Sequence, residues 1–255
     1  MTLRRLVVVL LLLALAAGTA AFAAPAKAAP AAPGTTLELK LADPSGPGGS
    51  SAMRIVLLMT ILAVAPSIML LMTCFVRIIL ALHFLRQALG TPQMPPNQVV
   101  VGLALFLTFF VMSPTVDRIY KEAWIPYEQG QMDITQGAQA ASEPLKAFML
   151  KNVREADVAL FVKMAKMPRP HTAQELPLRV VVPAFVISEL RVGFEIGFLL
   201  FLPFLVVDLV VSAVLLSMGM MMLPPQMVSL PFKLLLFVLV DGWGLLAGSL
   251  VAGFR

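Results

Sequence analysis

The chain has 255 residues, of which 59% are hydrophobic and only 13% charged, about half the usual charged share. That balance excludes a disordered segment, a basic nucleic-acid-binding tail and a soluble enzyme with a polar surface. Nineteen Lys and Arg against fourteen Asp and Glu leave a net charge of +5; scattered as it is, this charge reads as membrane topology information.

The first 23 residues read as an export signal. Arg4 and Arg5 form a basic start, residues 6–17 an apolar stretch too short for a bilayer core, and Ala21-Phe22-Ala23 an A-x-A cleavage site. Residues 24–52 change to Ala, Pro, Gly and Ser, with Pro25, Pro30, Pro33, Pro44 and Pro47 blocking helix. This is a linker that can build no core. The remaining domain, residues 53–255, carries four apolar segments.

Residues 55–82 are almost uninterrupted, with Pro66 as the expected kink. The single cysteine, Cys74, lies in this run; it excludes an intrachain disulfide or a CxxC site and reads as a buried thiol. Residues 99–112 are expected to stop at Ser113-Pro114. Residues 180–222 are too long for one ordinary crossing and are expected to break at Pro183 and Pro203, while residues 232–254 suffice for one span. Between the second and third segments, residues 115–178 form a polar helical excursion. Its main helix is expected to open at Ser142-Glu143 and to stop at Met167-Pro168.

Charge orients the set. The link between the first two segments carries Arg77 and Arg86 without an acid, which predicts a cytoplasmic position. The polar excursion has eight basic and eight acidic residues and is expected outside, with the Pro224-Pro225 turn inside and Arg255 outside.

Enzyme chemistry finds no foothold. His83 and His171 stand far apart without acidic or cysteine partners, and no HExxH, nucleophile elbow, GxGxxG or phosphate loop is present. No cofactor or metal is expected. The unusual residues are ions within apolar runs: Glu189, Arg191, Glu195, Asp208, Lys233 and Asp241. Such groups face protein or water and mark either an ion path or buried subunit contacts, the contacts being the simpler reading. Arg191 and Glu195, four apart, are placed to pair on one helix face. If Pro224-Pro225 is a hairpin tip, Asp208 and Asp241 lie level and call for a cation or donors from a neighbouring subunit. Met218, Met220, Met221, Met222 and Met227 cluster beside that tip. Flexible thioethers there are either helix filler or a pore seal that adapts to variable shapes, and composition alone favours filler.

Two stretches carry a resemblance. Residues 183–198, PAFVISELRVGFEIGF, and residues 231–243, PFKLLLFVLVDGW, resemble the two diagnostic motifs of the FliP family. Residues 53–80 and 85–114 follow its general pattern. The resemblance implies an all-α fold of membrane-inserted helical hairpins with broken helices, assembling into a helical, cone-like oligomer. It further implies a pentamer with FliQ and FliR in the bacterial inner membrane, at the flagellar basal body. There it forms the core of the flagellar type III export gate, a channel for unfolded flagellar proteins. Much of that gate sits above the expected bilayer plane. By the same resemblance Met220, Met221 and Met222 match a methionine gasket, and Glu189, Glu195, Lys233 and Asp241 become subunit contacts. The alternatives are an injectisome gate subunit, a small ion-coupled transporter using Asp208 and Asp241, and a structural scaffold.

Overall fold

A computed structural model describes residues 49–168, 172–220 and 222–254. The expected export signal and the linker up to residue 48 lie outside them, as do His171, Met221 and Arg255. Among the described residues all regular structure is helical. Residues Ile55–Arg255 form one compact unit, and the contacts below lie within it.

The first apolar segment folds as two helices, α1 (Gly49–Leu71) and α2 (Phe75–Ala88), bent by 71°. Thr73 explains where they part. Its hydroxyl donates to the Leu70 carbonyl at 2.7 Å and accepts the Phe75 N–H at 3.3 Å, closing one helix and opening the next. The bend therefore falls beyond Pro66, through which α1 continues.

The second segment runs on where a stop was expected. Helix α3 (Asn97–Ile119) contains Pro114 and continues through a π-helical turn (Tyr120–Trp124) into α4 (Ile125–Glu128), a 32-residue rod that is apolar up to residue 116. One proline removes one N–H donor, a loss that a long helix among apolar neighbours tolerates.

The polar excursion contains α5 (Ile134–Asn152) and α6 (Glu155–Met164), parted by extended backbone at Val153 and Arg154. Helix α5 starts eight residues before the expected Ser142. Asp133 and Gln136 form a capping box there, and the Ala, Gln and Gly that follow lack the apolar period that would reveal it.

The third segment is one helix of 40 residues, α7 (Leu178–Ser217), about 60 Å long at 1.5 Å per residue. The breaks expected at Pro183 and Pro203 do not occur, because every neighbour supports the rod: α2, α5, α6 and α8 all pack on it. The fourth segment, expected to be one span, bends by 62° between α8 (Pro225–Leu239) and α9 (Gly242–Ala252). Asp241 turns that corner with a left-handed φ of 51°.

Helices α2 and α7 share the most extensive contact between helices among the described residues. A Cβ on Gly193 would lie 2.9 Å from Leu80 Cδ1, and one on Gly197 would enter the Phe84 ring. Small residues four apart let helix backbones approach in this way. Gly197→Val is expected to cost about 1–3 kcal/mol by overpacking. Gly102→Val, which meets nothing within 4 Å, serves as the control. Equal thermal unfolding of the two variants in detergent would show that α2 and α7 are not held this close.

By length and composition two helices, α7 and the α3–α4 rod, can cross a membrane, and up to four spans result if each bent pair counts as one. Large apolar side chains stay exposed along α1, on α3 and down the outer face of α7. On a single chain such patches demand lipid or protein to cover them.

Candidate functional site

The buried charges of the apolar helices are paired across the fold. Glu189, wholly buried on α7, receives the guanidinium of Arg77 from α2 in a two-pronged contact: Nε donates to Oε2 at 2.8 Å and Nη2 to Oε1. Arg77 Nη1 donates to the Gly253 carbonyl at 3.4 Å, and the guanidinium lies 3.9 Å from the Phe254 ring centroid. Phe254 in turn stacks on Phe148 of α5. One arginine thus ties α2 to α7 and to the C-terminal turn after α9. A carboxylate in such surroundings is sustainable as an ion only with its partner in place.

This corrects the charge reading of topology. Arg77 is not a loop charge, and Arg86 sits in the last turn of α2, donating to the Pro95 carbonyl at 3.3 Å and lying 3.1 Å from His83 Nδ1. The chain between α2 and α3, residues 89–96, carries no charge at all. Arg77 also escaped the group of ions singled out in apolar runs. The signal was available, since it interrupts residues 55–82 as Glu189 interrupts α7.

A second cluster joins α2, α7 and α8. Lys233 Nζ donates to Asp208 Oδ2 at 2.6 Å and to the Ala88 carbonyl at 3.2 Å, while Ser229 Oγ donates to Asp208 Oδ1 at 2.5 Å. The ammonium neutralises the acid and also satisfies a carbonyl at the C-terminal end of α2, where a cation is favoured. Asp208 therefore takes its cation from its own chain. Nor is it level with Asp241, which lies eight residues beyond Lys233, about 12 Å along a helix. Asp241 is exposed at the α8–α9 corner. Its carboxylate covers the backbone of Gly244, and the Phe237 ring closes over Gly242, so the DGW motif builds a corner.

The third set links α7 to α6. Arg191 and Glu195 do not pair with each other: Arg191 faces Asp157 at 3.9 Å and Glu195 faces Arg154 at 3.5 Å. Ser188 accepts the Arg154 N–H at 3.1 Å, fixing the start of α6. Asp157 is buried, and its Oδ2 has no hydrogen-bond partner. Ser188, Ser229, Arg154 and Asp157 are not legible as site residues, because a serine in an apolar run costs little and ions are expected in a polar excursion.

The methionines stand beside a helix end closed by backbone hydrogen bonds. Helix α7 ends with Gly219 at φ 74°, the Met220 N–H donating to the Leu215 carbonyl at 3.0 Å and the Gly219 N–H to Leu216 at 3.1 Å. This paired closure of a helix end needs a left-handed residue, which glycine supplies without strain. Pro224 and Pro225 then set the entry to α8. Met218, Met220 and Met227 are exposed, and Met222 is 98% exposed; Met221 is outside the described residues. The hairpin tip thus presents several flexible thioethers, Met218, Met220, Met222 and Met227, that no described residue covers.

Among the described residues no three His, Cys, Asp or Glu converge as a metal site.

Comparison with known proteins adds to this geometry. The sequence pattern of the FliP family matches residues 58–250. The chain is similar to the flagellar biosynthetic protein FliP of Bacillus subtilis, 54% identical over 205 residues, covering 80% of this chain and 93% of that one. The protein of the same name from Caulobacter vibrioides is 58% identical over 202 residues, 79% of this chain and 76% of that one. The one from Aquifex aeolicus is 48% identical over 206 residues, 80% and 86% of the two chains.

Proposed function

This chain belongs to the FliP family of flagellar biosynthetic proteins, and on that premise we propose that it forms the wall and the closure of the flagellar protein export channel. The observation that carries this reading is the methionine turn. Unbranched thioethers adapt to many shapes, and a hairpin tip that leaves them uncovered suits a seal completed by other copies of the chain. Met220, Met221 and Met222 are the gate residues of this proposal.

The wall comes from the long helices. Their exposed apolar faces need partners, and the ions that would be costly in lipid are already neutralised inside the fold by Arg77–Glu189 and Lys233–Asp208. These two pairs meet a neighbouring copy as neutral groups. The proposed assembly is a pentamer with FliQ and FliR, a cone of helices in the bacterial inner membrane at the flagellar basal body. It passes unfolded flagellar proteins and has no catalytic activity of its own. Residues 1–23 direct export of the N-terminus, residues 24–52 form a linker, and residues 53–255 form the gate domain. Arg191 and Glu195, half exposed on α7, hold the polar excursion against the wall.

The test replaces Met220, Met221 and Met222 together with Ala in the chain co-expressed with FliQ and FliR. Ion conductance of membranes carrying the assembled complex is expected to rise, with native mass spectrometry showing the same assembly. Unchanged conductance in a fully assembled variant would remove the methionines from the seal.

A further inference from the structure

Most charged side chains of the apolar segments find a partner within the chain. Residues 55–116 and 180–254 carry eight of them. Arg77 meets Glu189 and Lys233 meets Asp208, while Arg191 faces Asp157 and Glu195 faces Arg154. Arg86 and Asp241 are left over, one cation and one anion, and neither has an ion pair among the described residues.

Arg86 is half-buried, and none of its contacts is an acid. Nη1 donates to the Pro95 carbonyl, Nη2 lies beside His83 Nδ1, and Nε is buried without a hydrogen-bond partner. With Leu82, Leu85, Pro95, Val99 and Trp243 it lines a cavity of about 210 Å³. That is room for a side chain, and it falls short of the roughly 300 Å³ at which small-molecule sites begin. Asp241 stands exposed at the α8–α9 corner, next to Val238, Leu239 and Val240, which are exposed as well. An apolar cavity with an unmatched cation and an apolar corner with an unmatched acid are complementary. Within one chain they do not pair, because Asp241 Oδ2 lies over Gly244 and Trp243 forms a wall of the cavity. Packing of further copies around Arg86 strips it of water, and a cation so covered needs an acid.

We propose that the α8–α9 corner of one copy docks at the Arg86 cavity of the next, pairing Asp241 with Arg86 across the interface. Each copy offers one corner and accepts another, a head-to-tail contact that repeats around a ring. The proposal rests on the assembly of several copies in the channel reading and names the surface that joins them.

A photo-crosslinker beside Arg86 identifies what covers it. Gln87 is exposed, so Gln87→Cys, made with Cys74→Ala and co-expressed with FliQ and FliR, carries benzophenone maleimide there and leaves both ions in place. Illumination of the assembled complex is expected to yield a covalent dimer of the chain whose attached peptide includes Asp241. Attachment to FliQ, to FliR or to another part of the second copy, or no dimer at all, would overturn the docking and leave the channel reading standing. Dissociation of the complex on dilution, followed by native mass spectrometry, tests the charges. Asn tolerates the left-handed backbone of Asp241. Arg86→Gln and Asp241→Asn should each dissociate at least about tenfold faster than the parent, and the double variant no faster than either. Unchanged rates, or effects that simply multiply, would overturn the pair. An unsubstituted chain that forms no assembly with FliQ and FliR would overturn the channel reading as well.

Discussion

Glu189→Ala is expected to destabilise the fold by about 3–5 kcal/mol, the usual consequence of leaving a buried charge without its partner. Arg77 would keep only the Gly253 carbonyl and the Phe254 ring, too little to hold a guanidinium among apolar helices. Cys74, wholly buried three residues before Arg77, reports the effect. Maleimide labelling of this lone thiol requires opening of the α1–α2 corner. At about 1.4 kcal/mol per tenfold, the variant should label roughly a hundredfold faster or more. The double variant Arg77→Met with Glu189→Leu should recover most of the loss, because an apolar pair of similar volume replaces a buried ion pair at little cost. Wild-type labelling in Glu189→Ala would show that the pair does not hold these helices together.

The second large effect belongs to Lys233. Lys233→Met keeps the side-chain length but removes the ammonium from Asp208 Oδ2 and from the Ala88 carbonyl. About 2–3 kcal/mol should be lost, less than for Glu189, because Asp208 is a third exposed and water compensates in part. Asp208→Asn alone should also destabilise, since it leaves the ammonium buried with a weaker acceptor. The double variant should lose less than the sum of the singles, the mark of a direct interaction. Denaturant unfolding in detergent measures all three. Strictly additive losses would mean that the two groups meet without depending on each other.

These two pairs also show how far the sequence could be read. The helical class was evident from long runs of Leu, Val, Ile, Phe and Met, which polar excursion residues interrupt only once. The ions at 189, 208 and 233 stood out because a charge in such a run is costly and needs a reason. Their partners did not stand out. Arg77 and Glu189 are 112 residues apart and Asp208 and Lys233 are 25 apart, and no local spacing announces either pair. The one pairing that local spacing did suggest, Arg191 with Glu195, lost to partners on α6 and just before it.

Proline misled for a related reason. Its cost in a helix is one hydrogen bond and a local clash, a cost that sequence rules count in isolation. Pro114, Pro183 and Pro203 all lie inside continuous helices, because neighbours that pack along the whole rod outweigh one missing bond. The real breaks came at Thr73, whose hydroxyl serves both helix ends, and at Asp241, whose left-handed backbone is closed over by Phe237.

By itself, then, the sequence determined the helical, membrane-directed class, the four apolar segments, the methionine tip with its Gly219 and paired prolines, and two of the four charged residues buried among the described ones, Glu189 and Lys233. Composition and local chemistry suffice for these, since each depends on residues close together in the chain. Only the tertiary structure decided which helices run through proline, where they bend, and which charge meets which. Helices that are apolar on every side have no hydrophobic face to announce their neighbours. The choice of partner falls to a few close approaches, Gly193 and Gly197 against α2 above all, and to ions that reach their partners only once those helices have met.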